Sequence, residues 1–217
     1  MQYYVWDHYN ILRPDKTDYA EFETSKGYLL SDDFPRCPFC HAQLGGRDWL
    51  PPFSGMFTAA KLGDLCGDIL GILLSERFRA KWESSGLQGL EFLDDEIKAV
   101  YKRNVDTKRY FVTRVQHTLT LVDHEASGLV PKKIVGCEKC GVMSRKKLER
   151  LRFVEKTISE LDVFRPSGLY GRTIVTERFV GFVNEHKYTN FYFVHQDDCV
   201  EPRSRDSQRG QEPFIVK

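Results

Sequence analysis

No apolar stretch in this chain is long enough to cross a bilayer. The longest, residues 65–74, holds ten residues and includes Asp68, against the roughly 20 that a membrane helix needs. An excess of one charge is missing too: 32 Lys and Arg offset 31 Asp and Glu, so no global field draws the protein to nucleic acid or to an anionic membrane. Residues 1–7 show no basic segment followed by an apolar core and a small-residue cleavage site, which predicts no secretory signal and residence in the cytoplasm. Catalytic signatures are also absent. There is no Gly-x-Ser-x-Gly elbow, no Gly-x-x-x-x-Gly-Lys phosphate loop, no His-Glu-x-x-His helix and no Gly-x-Gly-x-x-Gly fingerprint, and an enzyme is not expected. Six cysteines in 217 residues are too few for a disulfide-stapled scaffold.

Those few cysteines are not scattered. Cys37-Pro38-Phe39-Cys40 and Cys137-Glu138-Lys139-Cys140 form two Cys-x-x-Cys pairs 100 positions apart. Each can present two thiolates to a tetrahedral zinc from a tight turn. A redox reading of the proline-containing first pair requires a helix to open at Cys37, so that its N-terminus lowers the thiol pKa. Gly45-Gly46 and Pro51-Pro52 follow instead and favour a turn. A single structural Zn2+ shared by Cys37, Cys40, Cys137 and Cys140 is the simplest completion, although completion of one pair by His41 and a second histidine is conceivable. Four thiolates leave no open position for substrate. Cys66 and Cys199 read as buried small residues or surface thiols.

A second regularity has nearly the same offset. Glu76-Arg77-Phe78 recurs as Glu177-Arg178-Phe179, 101 positions on, each after a short aliphatic run and a capping residue, Ser75 or Thr176. Phe78 and Trp82, and then Phe179, Phe182 and Val183, lie at helical spacing; Leu90 with Phe92, and Phe191 with Phe193, alternate as strands do. Each module therefore reads strand, helix, strand. Residues 109–122 read as one long strand or a hairpin, and His117 and His124 beside it as satisfied polar residues. Residues 144–160 place Leu148, Leu151, Val154 and Ile158 at helical spacing, with Arg145, Lys146, Lys147, Arg150 and Arg152 around them, and predict an amphipathic helix with a basic face. Residues 201–213 lack hydrophobic side chains and predict a mobile tail.

The two Cys pairs, Leu161-Asp162-Val163-Phe164-Arg165 and Ile174-Val175-Thr176-Glu177-Arg178-Phe179 together resemble the double-CxxCG motif proteins, bacterial immunity proteins of contact-delivered toxin systems. Glu76-Arg77-Phe78 with the following Gly86 to Phe92 stretch matches a pattern of the same family. The second pair keeps its glycine, Gly141; the first is followed by His41. The resemblance implies an immunity protein that neutralises a cognate protein toxin by direct binding, without chemistry of its own. For a cationic toxin, Asp94, Asp95, Glu96, Asp197 and Asp198 are the candidate steering contacts. A zinc-ribbon nucleic-acid-binding or regulatory protein is the alternative, resting on the Cys pairs and the basic helix, with the near-neutral net charge against it; a thiol oxidoreductase using Cys37 and Cys40 is the third.

The expected fold is α+β: two related strand-helix-strand modules, in halves of residues 1–100 and 101–200, with a four-cysteine zinc knuckle pairing the Cys-x-x-Cys motifs and a tail from 201 to 217. Nothing in the residues fixes the oligomeric state.

Overall fold

Two short polar residues set where the helices begin. The computed structural model describes residues 1–7, 19–32, 36–43, 48–68, 71–95, 97–101, 104–105, 110–128, 137, 150–167, 169 and 172–199. In it, Ser75 and Thr176 hold extended backbone, and their hydroxyls accept hydrogen bonds from the Phe78 and Phe179 N–H groups at 3.3 and 3.4 Å. Each hydroxyl satisfies an amide that the first turn leaves open, and Glu76 or Glu177 follows where the helix dipole favours an acid. Helices α1 (Glu76–Ser85) and α2 (Glu177–Glu185) result, burying Phe78 and Trp82, and Phe179, Phe182 and Val183. Gly86 ends α1 at φ 71°, a left-handed conformation that glycine adopts without strain.

Strands make up most of the rest. In chain order they are β1 (Tyr3–Trp6), β2 (Phe22–Thr24), β3 (Leu29–Leu30), β4 (Trp49–Leu50), β5 (Ser54–Phe57), β6 (Leu65–Asp68), β7 (Gly71–Ser75), β8 (Leu90–Phe92), β9 (Lys98–Tyr101) and β10 (Asn104–Val105). They continue as β11 (Tyr110–Val115), β12 (His117–Leu121), β13 (Val163–Ser167), β14 (Thr173–Thr176) and β15 (Phe193–His195). One sheet has the order β6-β7-β11-β8, and a second the order β12-β13-β14-β1-β15. A third, β10-β9-β5-β2, and the pair β3-β4 complete the set. Thus strand, helix, strand follows at β7-α1-β8 and again at β14-α2-β15, and the first strand of the chain is built into the sheet of β14 and β15.

Those two sheets are laid out alike. Tyr110 faces the cap residue Ser75 across the ladder, and Tyr3 faces the cap residue Thr176. Ile72, Leu73 and Leu74 are wholly buried, as are Ile174 and Val175, because both faces of each sheet are covered. Leu65, Ile72, Leu74, Val163 and Val175 turn toward the helices in a shared central core, where the Phe78 and Phe179 rings meet at 6.2 Å. On the outer face of the first sheet, Cys66, Leu73 and Val112 pack on Trp49, Phe53 and Phe57; on that of the second, Val5, Phe164 and Ile174 pack with Leu151.

Two aspartates tie these units to one another. Asp64 accepts from the Ser75 hydroxyl at 2.8 Å and from Arg77 at 3.1 and 2.6 Å, then reaches the other half, accepting from the Thr189 N–H at 2.9 Å. Asp162 accepts from the Thr176 hydroxyl at 2.8 Å, pairs with Arg178 at 3.3 Å, and accepts from the Gln88 N–H at 3.1 Å. Backbone bonds repeat the exchange: Asp162 and Val163 both donate to the Gln88 carbonyl, and Asp64 and Leu65 to that of Thr189.

Two expectations need correction. The amphipathic helix over 144–160 is absent from its described part, residues 150–160, and residues 144–149 lie outside the described residues. Phe153 bridges Val122 in antiparallel fashion, Leu151 N–H donates to the Gln196 carbonyl at 2.7 Å, and only Glu155–Thr157 makes a 3-10 turn. Arg150-Leu151-Arg152-Phe153 alternates polar and apolar, so a period of two prevails over the helical one here. Residues 109–122 are neither a single strand nor a hairpin: β11 serves the first sheet, and after Gln116 the chain runs on as β12 in the second. The tail, 201–217, lies outside the described residues.

Candidate metal centre

The first Cys-x-x-Cys pair sits at the tip of an arm. Leu29 pairs with Leu50 and Leu30 with Trp49; farther out, Ser31 N–H donates to the Asp48 carbonyl and Arg36 bridges Gln43. Between those legs, Cys37 N–H donates to the Ala42 carbonyl and His41 N–H to the Cys37 carbonyl, each at 2.9 Å, with His41 at φ 56°. The result is a tight turn and not the start of a helix, so no helix dipole acts on Cys37.

Across 100 residues of sequence, the Cys137 sulfur lies 3.8 Å from that of Cys37, and the thiol groups of Cys37, Cys40 and Cys137 all lie within 4.8 Å of one another. Sulfurs held about 2.3 Å from one tetrahedral ion stand about 3.8 Å apart, whereas a disulfide needs about 2.05 Å. None of the three is in a disulfide, and this spacing lets them hold a metal ion. Cys37 is buried, Cys137 half-buried and Cys40 exposed, so the cluster lies at the surface with one wall inside. Cys140, the expected fourth ligand, lies outside the described residues, as do Gly45, Gly46 and Gly141. Cys66 and Cys199 are both buried, in the two outer cores, and take no part.

The acidic candidates differ in what they touch. Asp94 pairs with Arg79 at 2.8 Å although its side chain is 85% exposed. Asp197 pairs with Arg152 and lies 3.5 Å from His195 Nδ1, and Arg152 holds its carboxyl below the usual range. Asp95 and Asp198 are exposed, and Glu96 lies outside the described residues. Sequence reasoning gave no role to Asp64, and read Asp162 only within the stretch that carries the family resemblance. Their signal was available, since each stands just before a strand leading to a capped helix, 11 and 14 residues ahead of Ser75 and Thr176.

His117 pairs in register with Arg165 on neighbouring strands. Burial, and then the charge of Arg165, push its pKa from 6.5 down to about 4, with Asp48 opposing. It is neutral at physiological pH and has one N–H to donate.

Fold and site together define a mixed α and β protein, mostly strand, with a surface thiol cluster able to hold a metal ion. No helix among the described residues is long and apolar enough to cross a membrane. The model described as Immunity protein family (Imm11) matches residues 58–198, and the chain belongs to this family of bacterial immunity proteins. The matched span takes in both helices and Cys137 and leaves out Cys37 and Cys40. No curated protein matches the chain.

Proposed function

We propose that this protein binds and neutralises a cognate bacterial toxin in the cytoplasm, by occluding it and not by chemistry. Family membership carries that reading. The metal is read as structural zinc on Cys37, Cys40, Cys137 and Cys140; the 3.8 Å approach of Cys37 and Cys137 sulfurs supports it, because thiolates suit zinc and a closed four-thiolate site binds no substrate. Zinc there fastens the arm to the second half of the chain. Asp94, Asp95, Glu96, Asp197 and Asp198 stand as steering charges toward a basic toxin.

The halves, residues 1–100 and 101–200, are read as duplicated modules. In support, the order β6-β7-β11-β8 parallels β13-β14-β1-β15, and Asp64 and Asp162 make corresponding bonds to Ser75 and Thr176. Of the basic residues on which the nucleic-acid alternative rests, Arg150 and Arg152 do not lie on a helix, and Arg145, Lys146 and Lys147 lie outside the described residues.

Co-expression with the toxin encoded beside its gene is expected to restore growth, and the two chains to copurify. Growth arrest despite soluble expression would sink the immunity reading. Metal analysis of purified protein is expected to give one zinc per chain, lost in both Cys37→Ser and Cys137→Ser. Full zinc retention in both variants would exclude a shared site.

A further inference from the structure

Beside the edge strand of the second sheet, one half-buried arginine has no acid paired with it among the described residues. Arg165, on β13, makes no ion pair or side-chain hydrogen bond among the described residues, and its Nε is buried without an acceptor. The nearby acid is engaged elsewhere: Asp48 lies 3.4 Å from Arg114 Nε. Glu91, opposite Arg114 in the ladder, is exposed and lies on the first sheet. Beside Arg165, on edge strand β12, His117 keeps a neutral imidazole with one N–H to give. Two residues on, where the register between β12 and β13 shifts, Leu119 is 70% exposed. A guanidinium with no partner among the described residues and a neutral donor thus stand side by side on β13 and β12, and the edge strand β12 also carries an exposed aliphatic side chain. Such a mixture suits an interface better than a folded surface, because arginine is enriched at interface hot spots and a half-buried charge without a partner costs stability.

We propose that Arg165 receives the carboxylate of an Asp or Glu on the toxin, with His117 donating to the same group and Leu119 packing against its apolar neighbours. The proposal rests on the immunity reading. It adds an anchoring contact of opposite sign to the acidic steering charges, which lie on other segments.

Arg165→Met keeps the apolar stem and removes the charge. Against the purified, catalytically inactivated toxin encoded beside this gene, it is expected to bind about tenfold or more weakly than wild type, the weakening typical of an interface hot spot. Its melting temperature is expected to hold or rise, since no partner among the described residues is lost. Arg165→Glu is expected to abolish protection, and a Lys at the matching toxin acid to restore it. Binding by Arg165→Met within twofold of wild type overturns the contact, and so does a loss of binding accompanied by a lowered melting temperature, which marks a structural residue. Loss of binding to a random DNA or RNA oligonucleotide with toxin binding intact overturns it in favour of phosphate. A wild-type chain that neither binds nor protects overturns the immunity reading, and this contact with it.

Discussion

Asp64 does four jobs with two oxygens: it holds the Ser75 cap, Arg77, and both the N–H and the hydroxyl of Thr189. Burial alone pushes its pKa up, but Arg77 and the bonds from Thr189 and Ser75 outweigh that and hold it below the ordinary carboxylate value. A depressed folded-state pKa means stability that is present above the unfolded value, about 3.9, and lost as pH falls through the folded one. Asp64→Asn is expected to cost about 1–2 kcal/mol in urea unfolding at pH 7, because it removes the charge from the bonds that a half-exposed Arg77 donates, and to flatten the stability loss below about pH 4. An unchanged acid limb would show that Asp64 does not drive it. His117 has the same pH sense by another route: the unfolded residue protonates near 6.5 and the folded one only near 4, so stability falls with acid across that window. His117→Gln should reduce the slope between pH 6.5 and 4, with Arg165, Arg114 and Asp48 left in place. Gly89, at φ 114°, brings its backbone so near β13 that a Cβ would overlap the Val163 carbonyl oxygen. Gly89→Ala is therefore expected to destabilise by about 3 kcal/mol or more, from the left-handed strain together with the clash; a melting curve within 1 °C of wild type would contradict this close approach.

Helices were the most legible elements, because Ser75 and Thr176 announce them chemically and tertiary packing then agrees with the local signal. Thr176→Ala is expected to cost about 1 kcal/mol for the cap, and more if the Asp162 bond is lost with it; a circular-dichroism melt checks the sum. Residues 150–154 were misread because Leu148, Leu151, Val154 and Ile158 fit a helix while Leu151 and Phe153 fit a strand, and only the tertiary partner Val122 decides between them. The likeness of β1 to β11 emerges only from the strand pairing. Tyr3-Tyr4-Val5-Trp6 mirrors Tyr110-Phe111-Val112-Thr113 in pattern and in its cross-strand partners, but at an offset of 107 and not 101, outside the register of the helices. Of the thiol cluster, the spacing of each pair was plain in the sequence. That Cys137 closes on Cys37 depends on an arm whose two legs, near Leu30 and Trp49, pair only in the folded chain.

At the scale of the whole molecule, a boundary near residue 100 separates the helices but not the sheets. Trp6 lies opposite both Thr173 and Phe193, in the middle of a sheet otherwise made by the second half. A fragment covering residues 101–217 lacks that strand and is expected to remain unfolded by circular dichroism; a cooperative melt from it would show that the second half stands alone. Adding residues 1–100 as a separate chain is expected to restore structure.

The same arrangement orders events in time. Translation releases Tyr3–Trp6 long before residues 173–195, which supply both strands that flank it, so this strand waits unpaired until those residues have emerged. Pairing across that separation is slow to find. A newly made molecule therefore cannot finish this sheet, or offer the edge beside Arg165 in final form, until residues 173–195 have been made. Truncated chains lacking residues 173–195 should accumulate without protecting the cell.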